Sequence, residues 1–118
     1  MDIEENEMKD RKPKIKALLN AAERELALFK NTREFPNLSQ ACEKIWVAFT
    51  LALEERANRE IRGSVKIREI AFRLNYQYQY ELTHKLHILH YEGSPDVEDS
   101  AVIQEVLEGI VQVRYMIS

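Results

Sequence analysis

Few residues in this chain suit tight turns: only three of its 118 residues are glycine and three are proline. Hairpin turns depend on such residues, so an all-β fold is not expected. A single cysteine excludes an intramolecular disulfide and is typical of a reducing cytosol. No apolar run suits a membrane span, and the acidic N-terminus lacks the apolar segment of a signal peptide. We therefore expect a cytoplasmic protein with no membrane partner.

Apolar and charged residues are abundant and make up 45% and 31% of the chain, which is the balance of a soluble globular domain. The length suits one domain, residues 1–118, with residues 1–11 frayed. The net charge of −3 combines acidic ends with a basic middle. This pattern does not indicate a uniformly basic nucleic-acid binder, but it allows a local basic face or electrostatic docking between copies.

Residues 37–55, which include the nearly continuous apolar run 45–53, are predicted to form the central helix of a bundle. Asn37 is expected to cap it, because its side chain can accept a hydrogen bond from a free amide of the first turn. Apolar side chains lie on nearly every face, so the helix should be buried on more than one side. Cys42 lies on the apolar stripe and is expected to be a core residue rather than a nucleophile.

Three or four further amphipathic helices are predicted from apolar residues at helical spacing. One precedes the central helix. Residues 65–91 form either one helix or two, and the last helix begins at Ser94-Pro95-Asp96, where a capping residue precedes a proline. The predicted fold class is therefore all-α, an antiparallel, up-and-down bundle of four or five helices.

An NYQYQY segment is the first candidate for a functional surface. Tyr76, Tyr78 and Tyr80 alternate as in a strand, but a lone strand would have no partner, so we expect a loop or a helix. Alternating positions on a helix do not share a face, and at least one tyrosine should be exposed. The tyrosines form either a base-stacking platform beside Arg68 and Arg73 or a packed rim with solvated hydroxyl groups.

Three histidines spaced three residues apart follow this segment. Residues three apart are neighbours on a helix, so His84 and His87 could share a metal ion, with Glu81 completing an E-x-x-H unit. Carboxylate-bridged di-iron bundles use that unit twice, and this chain has no second copy. We therefore expect no metal and no cofactor, and histidines that are solvated, hydrogen-bonded or part of a pH-sensitive dimer contact.

Two segments resemble a known family. Residues 41–46 (ACEKIW) resemble the Ala-Ser-Glu-Lys-x-Trp run of the archaeal paREP-type proteins, which are grouped with HEPN domains. Residues 86–93 (LHILHYEG) are similar to the Leu-His…Phe-Tyr-Glu-Gly segment of that family, with His90 in place of a phenylalanine. The order and spacing of the two segments also fit, so the resemblance extends from about Leu38 to the C-terminus.

The resemblance implies an antiparallel helical bundle, usually paired as a homodimer. In catalytic HEPN proteins it also implies metal-independent RNA cleavage by an R-x4-6-H motif, with the sites meeting across the dimer. That motif is missing here, because the nearest arginine before His84 is Arg73, eleven residues earlier. Glycine-rich phosphate-binding loops and a nucleophile elbow are also missing. We therefore expect no catalytic residue.

Three functions are compatible with these observations. The preferred one is a non-catalytic, dimerising HEPN-like module that binds RNA, a nucleotide or a protein partner, with Arg68, Arg73 and the tyrosine segment as the nucleic-acid surface. The second is an atypical metal-independent ribonuclease of the toxin type that depends on His84 or His87. The third is a structural subunit of a hetero-complex. The dimer interface is on either the central or the last helix.

Overall fold

Five helices account for most of the residues that the structure, a computed structural model, describes, which are 11–92 and 99–118. They are α1 (Arg11–Thr32), α2 (Phe35–Ala57), α3 (Ser64–Arg73), α4 (Gln77–Glu92) and α5 (Asp99–Ile117). Within these two ranges there is no strand, and the all-α prediction is confirmed there. Of the residues 1–11 predicted to be frayed, Arg11 is instead the first residue of α1, because it pairs with Glu54, and the others lie outside the described residues. The predicted start of the last helix at Ser94 also lies outside them.

Successive long helices, α1, α2, α4 and α5, run antiparallel to one another. Arg11 at the start of α1 meets Glu54 near the end of α2, with 3.6 Å between Nε and Oε1. The other pairs follow the same order: Ser39–His90 and Phe49–Tyr80 join α2 to α4, and Gln79–Gln112 and Lys85–Glu105 join α4 to α5. Helices α1, α2, α4 and α5 therefore run up, down, up and down. The short α3 packs against α2 and α4.

The core is built around α2, which contacts each of the other four helices. Its buried apolar side chains cover about half of the helix surface: Leu38, Ala41, Cys42, Ile45, Trp46, Ala48, Phe49, Ala52 and Leu53. On the opposite half, the apolar Val47 and Leu51 are half-buried. Burial raises the pKa of the Cys42 thiol to about 12, and the nearby Glu105 and Glu43 carboxylates add to the rise. Cys42 is thus a core residue, as expected. None of the helices in the described ranges is long and apolar enough to cross a membrane.

The start of α2 differs from the prediction. The helix begins at Phe35, two residues before Asn37, because Pro36 occupies the first turn, where a missing N–H leaves no bond unmade. Glu34 is the N-cap residue, and its side chain makes no capping hydrogen bond. Asn37 lies inside the first turn, and its Nδ2 donates to Thr32 Oγ1 at 3.2 Å. The predicted cap at Asn37 is therefore wrong.

Two left-handed asparagines divide the chain between α2 and α4. Asn58 (φ 57°) ends α2, and Asn75 (φ 67°) lies in the turn that separates α3 from α4. Asparagine adopts this conformation more readily than most residues do. Residues 65–91 therefore form two helices rather than one continuous helix, and the five-helix alternative holds for the described part of the chain.

Gly109 lies where α5 comes closest to α2 and α4. A Cβ atom added to this residue would lie 3.1 Å from both Ile45 Cγ2 and Leu86 Cδ1, which is tighter than ordinary van der Waals contact. Both neighbours are fully buried core side chains and have little room to move. The absence of a side chain at Gly109 therefore allows three helices to meet.

We predict that Gly109→Val lowers the free energy of unfolding by about 2 kcal/mol or more, because the added methyl groups overpack the core. Ala101→Val is the matched control, since Ala101 is exposed on the same helix and should lose only about 0.5 kcal/mol of helix propensity. Urea unfolding followed by circular dichroism measures both. Equal losses in the two variants would contradict the close approach at Gly109.

Candidate functional site

Trp46 and His87 form the centre of the contact between α2 and α4. Their rings are stacked, with centroids 4.8 Å apart and planes inclined by 22°. His87 Nδ1 also lies 3.0 Å from Glu43 Oε2, so the imidazole is held by a ring on one side and a carboxylate on the other. His84, one turn earlier on α4, meets the Trp46 ring edge-on at 5.6 Å. These four residues, the Trp46 cluster, fix how α4 is rotated against α2.

His90 makes the next contact along the same two helices. Its Nδ1 lies 2.6 Å from Ser39 Oγ and 3.0 Å from the Ser39 carbonyl oxygen. The 2.6 Å distance is that of a hydrogen bond between the imidazole and the serine hydroxyl. Ser39 is buried in the first turns of α2. The contact therefore ties the far end of α4 to the start of α2.

The sequence-predicted metal candidates Glu81, His84 and His87 do not converge. Glu81 Oε1 accepts a hydrogen bond from Gln77 Nε2 at 3.1 Å, and His87 Nδ1 is engaged by Glu43. Across residues 11–92 and 99–118, no group of three or more histidine, cysteine, aspartate or glutamate side chains is arranged to hold a metal ion.

An open cleft of about 500 Å³ lies between α3 and α4 and is called here the α3–α4 cleft. It is lined by Arg68, Phe72, Tyr80, Glu81, His84, Lys85 and Ile88. Its wall is aromatic, because the Phe72 and Tyr80 rings meet edge-on at 6.1 Å and Tyr80 lies 5.2 Å from His84. His84 and Tyr80 also contact Trp46, so the wall of the cleft packs against the Trp46 cluster.

The segment that leads into and includes α3 is basic. Residues 58–73 carry five basic side chains and two acidic ones, all of them exposed. Both acids are already paired, Glu60 with Arg62 at 3.1 Å and Glu69 with Lys66 at 3.4 Å. The remaining three cations have no carboxylate within 4.0 Å among the described residues: Arg59, Arg68 and Arg73. A local positive surface therefore borders the cleft, although the chain as a whole is acidic.

The two cations that line the cleft, Lys85 and Arg68, contact other side chains. Lys85 Nζ binds Glu105 Oε1 of α5 at 2.9 Å, while the Arg68 guanidinium lies over the Phe72 ring, 5.1 Å from its centroid. The pKa of His84 is lowered, mainly by burial and secondarily by the charge of His87. His84 therefore presents a neutral imidazole to the cleft at neutral pH.

Only two of the five sequence-predicted binding residues line the cleft, namely Arg68 and Tyr80. Arg73 is exposed on α3 but outside the lining, and Tyr76 is half-buried against the core in the turn before α4. Tyr78 is exposed on the other side of α4, where its hydroxyl group donates to Glu108 Oε1 at 3.3 Å. The three tyrosines do not form one platform, because alternating positions of a helix point in different directions.

Sequence reasoning missed three lining residues: Phe72, Lys85 and Ile88. A signal for them was present. Glu81, His84, Lys85 and Ile88 are spaced as one face of a helix, and Phe72 follows Arg68 by four residues. Each of these helix faces could have been recognised from the sequence. That the face of α3 meets the face of α4 depends on the turn at Asn75.

The chain matches no model of a protein family, and no curated protein or solved structure is significantly similar to it. The resemblance to the paREP-type HEPN proteins therefore stays a prediction from residues 41–46 and 86–93. These two segments touch in the fold, because Glu43 and Trp46 of the first both contact His87 of the second.

We predict that His84 titrates below the ordinary histidine pKa of about 6.5 in an NMR pH titration. The unfolded chain then binds the proton more tightly, so this residue lowers stability increasingly as the pH falls from about 6.5 through its folded pKa. In His87→Gln the pKa of His84 should rise partway to the ordinary value, because the neighbouring charge is removed while the burial remains. An unchanged pKa in that variant would contradict the coupling.

Proposed function

We propose that this protein is a non-catalytic, HEPN-like helical bundle that binds single-stranded RNA through the α3–α4 cleft. One observation carries the proposal: exposed aromatic and apolar side chains line an open cleft whose α3 wall belongs to the net-basic segment 58–73. Binders of single-stranded nucleic acid combine a positive groove with aromatic rings on which bases stack. The resemblance to HEPN proteins points to the same class of ligand.

The size and chemistry of the cleft support its assignment as a ligand-binding site. Its volume of about 500 Å³ falls within the range of typical ligand pockets. Polar groups from two helices converge on it, and one of them, His84, has a displaced pKa, as is common at functional sites. Phe72 and Ile88 stay partly exposed there, although both are apolar.

A binding role is favoured over a catalytic one because the cleft offers one reactive side chain, His84, and the other candidates are occupied or buried. The imidazoles of His87 and His90 contact Glu43 and Ser39, and the thiol of Cys42 is buried with a raised pKa. A ribonuclease would need a histidine that is free to exchange protons with the RNA. Within the α3–α4 cleft, His84 is the single histidine, and no arginine stands in the R-x4-6-H relation to it.

We predict that Arg68→Glu weakens binding of a labelled single-stranded RNA about tenfold or more, because it reverses a charge inside the cleft. Arg73→Glu is the matched control: it makes the same charge change on the same helix outside the cleft and should cost less than about threefold. Fluorescence anisotropy across a range of salt concentrations measures both. The wild type should bind more weakly as salt rises, and Arg68→Glu should have a shallower dependence by about one unit.

Three outcomes would count against this assignment. The cleft is not the site if the two arginine variants lose equal affinity. RNA is not the ligand if the wild type fails to bind it at low salt. RNA that is cleaved without added metal, with the cleavage lost on replacing His84 or His87, would support the ribonuclease alternative instead.

We also propose that two copies of the chain pair through α5. The central helix α2 contacts the other four helices, and none of its large apolar side chains is exposed. On α5, Leu107 (37% exposed), Val111 (56%) and Tyr115 (65%) recur every four residues and form one apolar stripe. Such a stripe is costly to leave in water and suits an interface between copies.

We predict that Val111→Asp converts the dimer to a monomer, because it places a charge at the centre of the stripe. Leu28→Asp is the matched control, since Leu28 is comparably exposed (49%) but lies on α1. Light scattering coupled to size-exclusion chromatography measures the mass of each. A monomeric wild type would refute the pairing and favour a structural subunit whose stripe is covered by a different protein.

A further inference from the structure

We infer that Arg68 and Phe72 form an exchangeable stacking site, in which an unpaired RNA base displaces the Arg68 guanidinium from the Phe72 ring and Arg68 moves to a neighbouring phosphate. This inference rests on the proposed function and names the group that the cleft takes: the base of an unpaired nucleotide. It identifies Phe72, rather than the tyrosine segment, as the stacking residue.

The position of the pair supports a role at the centre of the binding surface. Besides the α3–α4 cleft, a second hollow of about 280 Å³ is lined by Val65, Arg68, Glu69 and Phe72. Because Arg68 and Phe72 line both hollows, the pair stands between them. A strand that crosses α3 would therefore pass over Phe72, with space for a nucleotide on each side.

The observed geometry shows that a flat cationic group already fits on the ring. The Arg68 guanidinium carbon lies 5.1 Å from the Phe72 centroid, and Phe72 remains 37% exposed. Arg68 is itself exposed and makes no ion pair with a carboxylate among the described residues. An exposed cation–π contact is weaker than the stacking of a base on an aromatic side chain. Exchange of guanidinium for base is therefore favourable, and the released arginine can bind a phosphate.

The Phe72 ring packs against Tyr80. Tyr80 meets it edge-on, with the planes inclined by 67°, and Tyr80 is itself buried against Trp46 and Phe49. A ring held in this way presents a fixed face, which lowers the entropy lost when a base stacks on it. The Trp46 cluster thus connects the core to the stacking site through Tyr80.

The test is a cycle that combines a protein change with an RNA change. Full-length wild type and Phe72→Leu are each titrated with oligoadenylate and with an abasic ribose-phosphate oligomer of the same length. Because each oligomer is uniform along its length, the position at which the protein binds does not affect the comparison. The wild type should bind the abasic oligomer about tenfold more weakly than oligoadenylate. Phe72→Leu should bind oligoadenylate about tenfold more weakly and show little further loss with the abasic oligomer, because its stacking is already gone.

Two controls separate stacking from structural damage. Phe72→Tyr keeps the ring and should bind like the wild type. Tyr78→Leu removes an exposed ring outside the cleft and should also leave binding unchanged. Circular dichroism establishes that each variant keeps its helical content.

The outcomes distinguish this inference from the function on which it rests. Failure of the wild type to bind any RNA at low salt overturns the RNA-binding function and the stacking site together. Salt-sensitive binding with equal affinity for oligoadenylate and the abasic oligomer overturns the stacking site alone. Loss of discrimination in Tyr78→Leu but not in Phe72→Leu would assign the stacking to the tyrosine segment instead.

Discussion

The stacked contact between Trp46 and His87 determines where α4 lies, and the candidate site depends on that position. The Trp46 indole ring is buried between α2 and α4, and the flat imidazole of His87 stacks on it. Glu43 holds the imidazole by its Nδ1 atom, so the stack has one orientation. Since α4 is a rigid helix, its other residues follow: Tyr80 and His84 are brought beside Trp46 and carry the wall of the α3–α4 cleft.

Electrostatics gives the cleft a character that the whole chain does not have. The net charge is −3, yet the cations that lack a carboxylate neighbour in the described residues 58–73 gather around α3. This segment has five basic residues and two acidic ones, and both acids, Glu60 and Glu69, are paired with cations of the same segment. At physiological salt, charges more than about 8 Å apart are largely screened, so a phosphate bound at α3 responds mainly to this local surplus.

The periodic features of the sequence were sufficient to predict the helices, and the single-residue features were less reliable. The stripes of α1, α2 and α5 follow from apolar spacing, because each face must be buried to offset the loss of chain entropy. The cap at Asn37 was mispredicted because Pro36 suits the first turn of a helix, and the helix begins at Phe35, two residues before Asn37. For the tyrosine segment, the sequence left a platform and a packed rim open and predicted at least one exposed tyrosine. Tyr78 is that exposed residue and contacts α5, whereas Tyr80 lies in the core.

By itself, the sequence determined that the protein is helical, that α2 is central and that Cys42 is a core residue, because local periodicity and burial decide all three. Only the tertiary structure decided which side chains form the site. Arg68 and Phe72 come from α3, whereas Tyr80, His84 and Lys85 come from α4, and they meet because Asn75 reverses the chain between the two helices. The physical reason is that periodicity within a helix defines its faces, whereas the faces that meet are selected by turns and by contacts between residues distant in the chain, here Trp46 with His87.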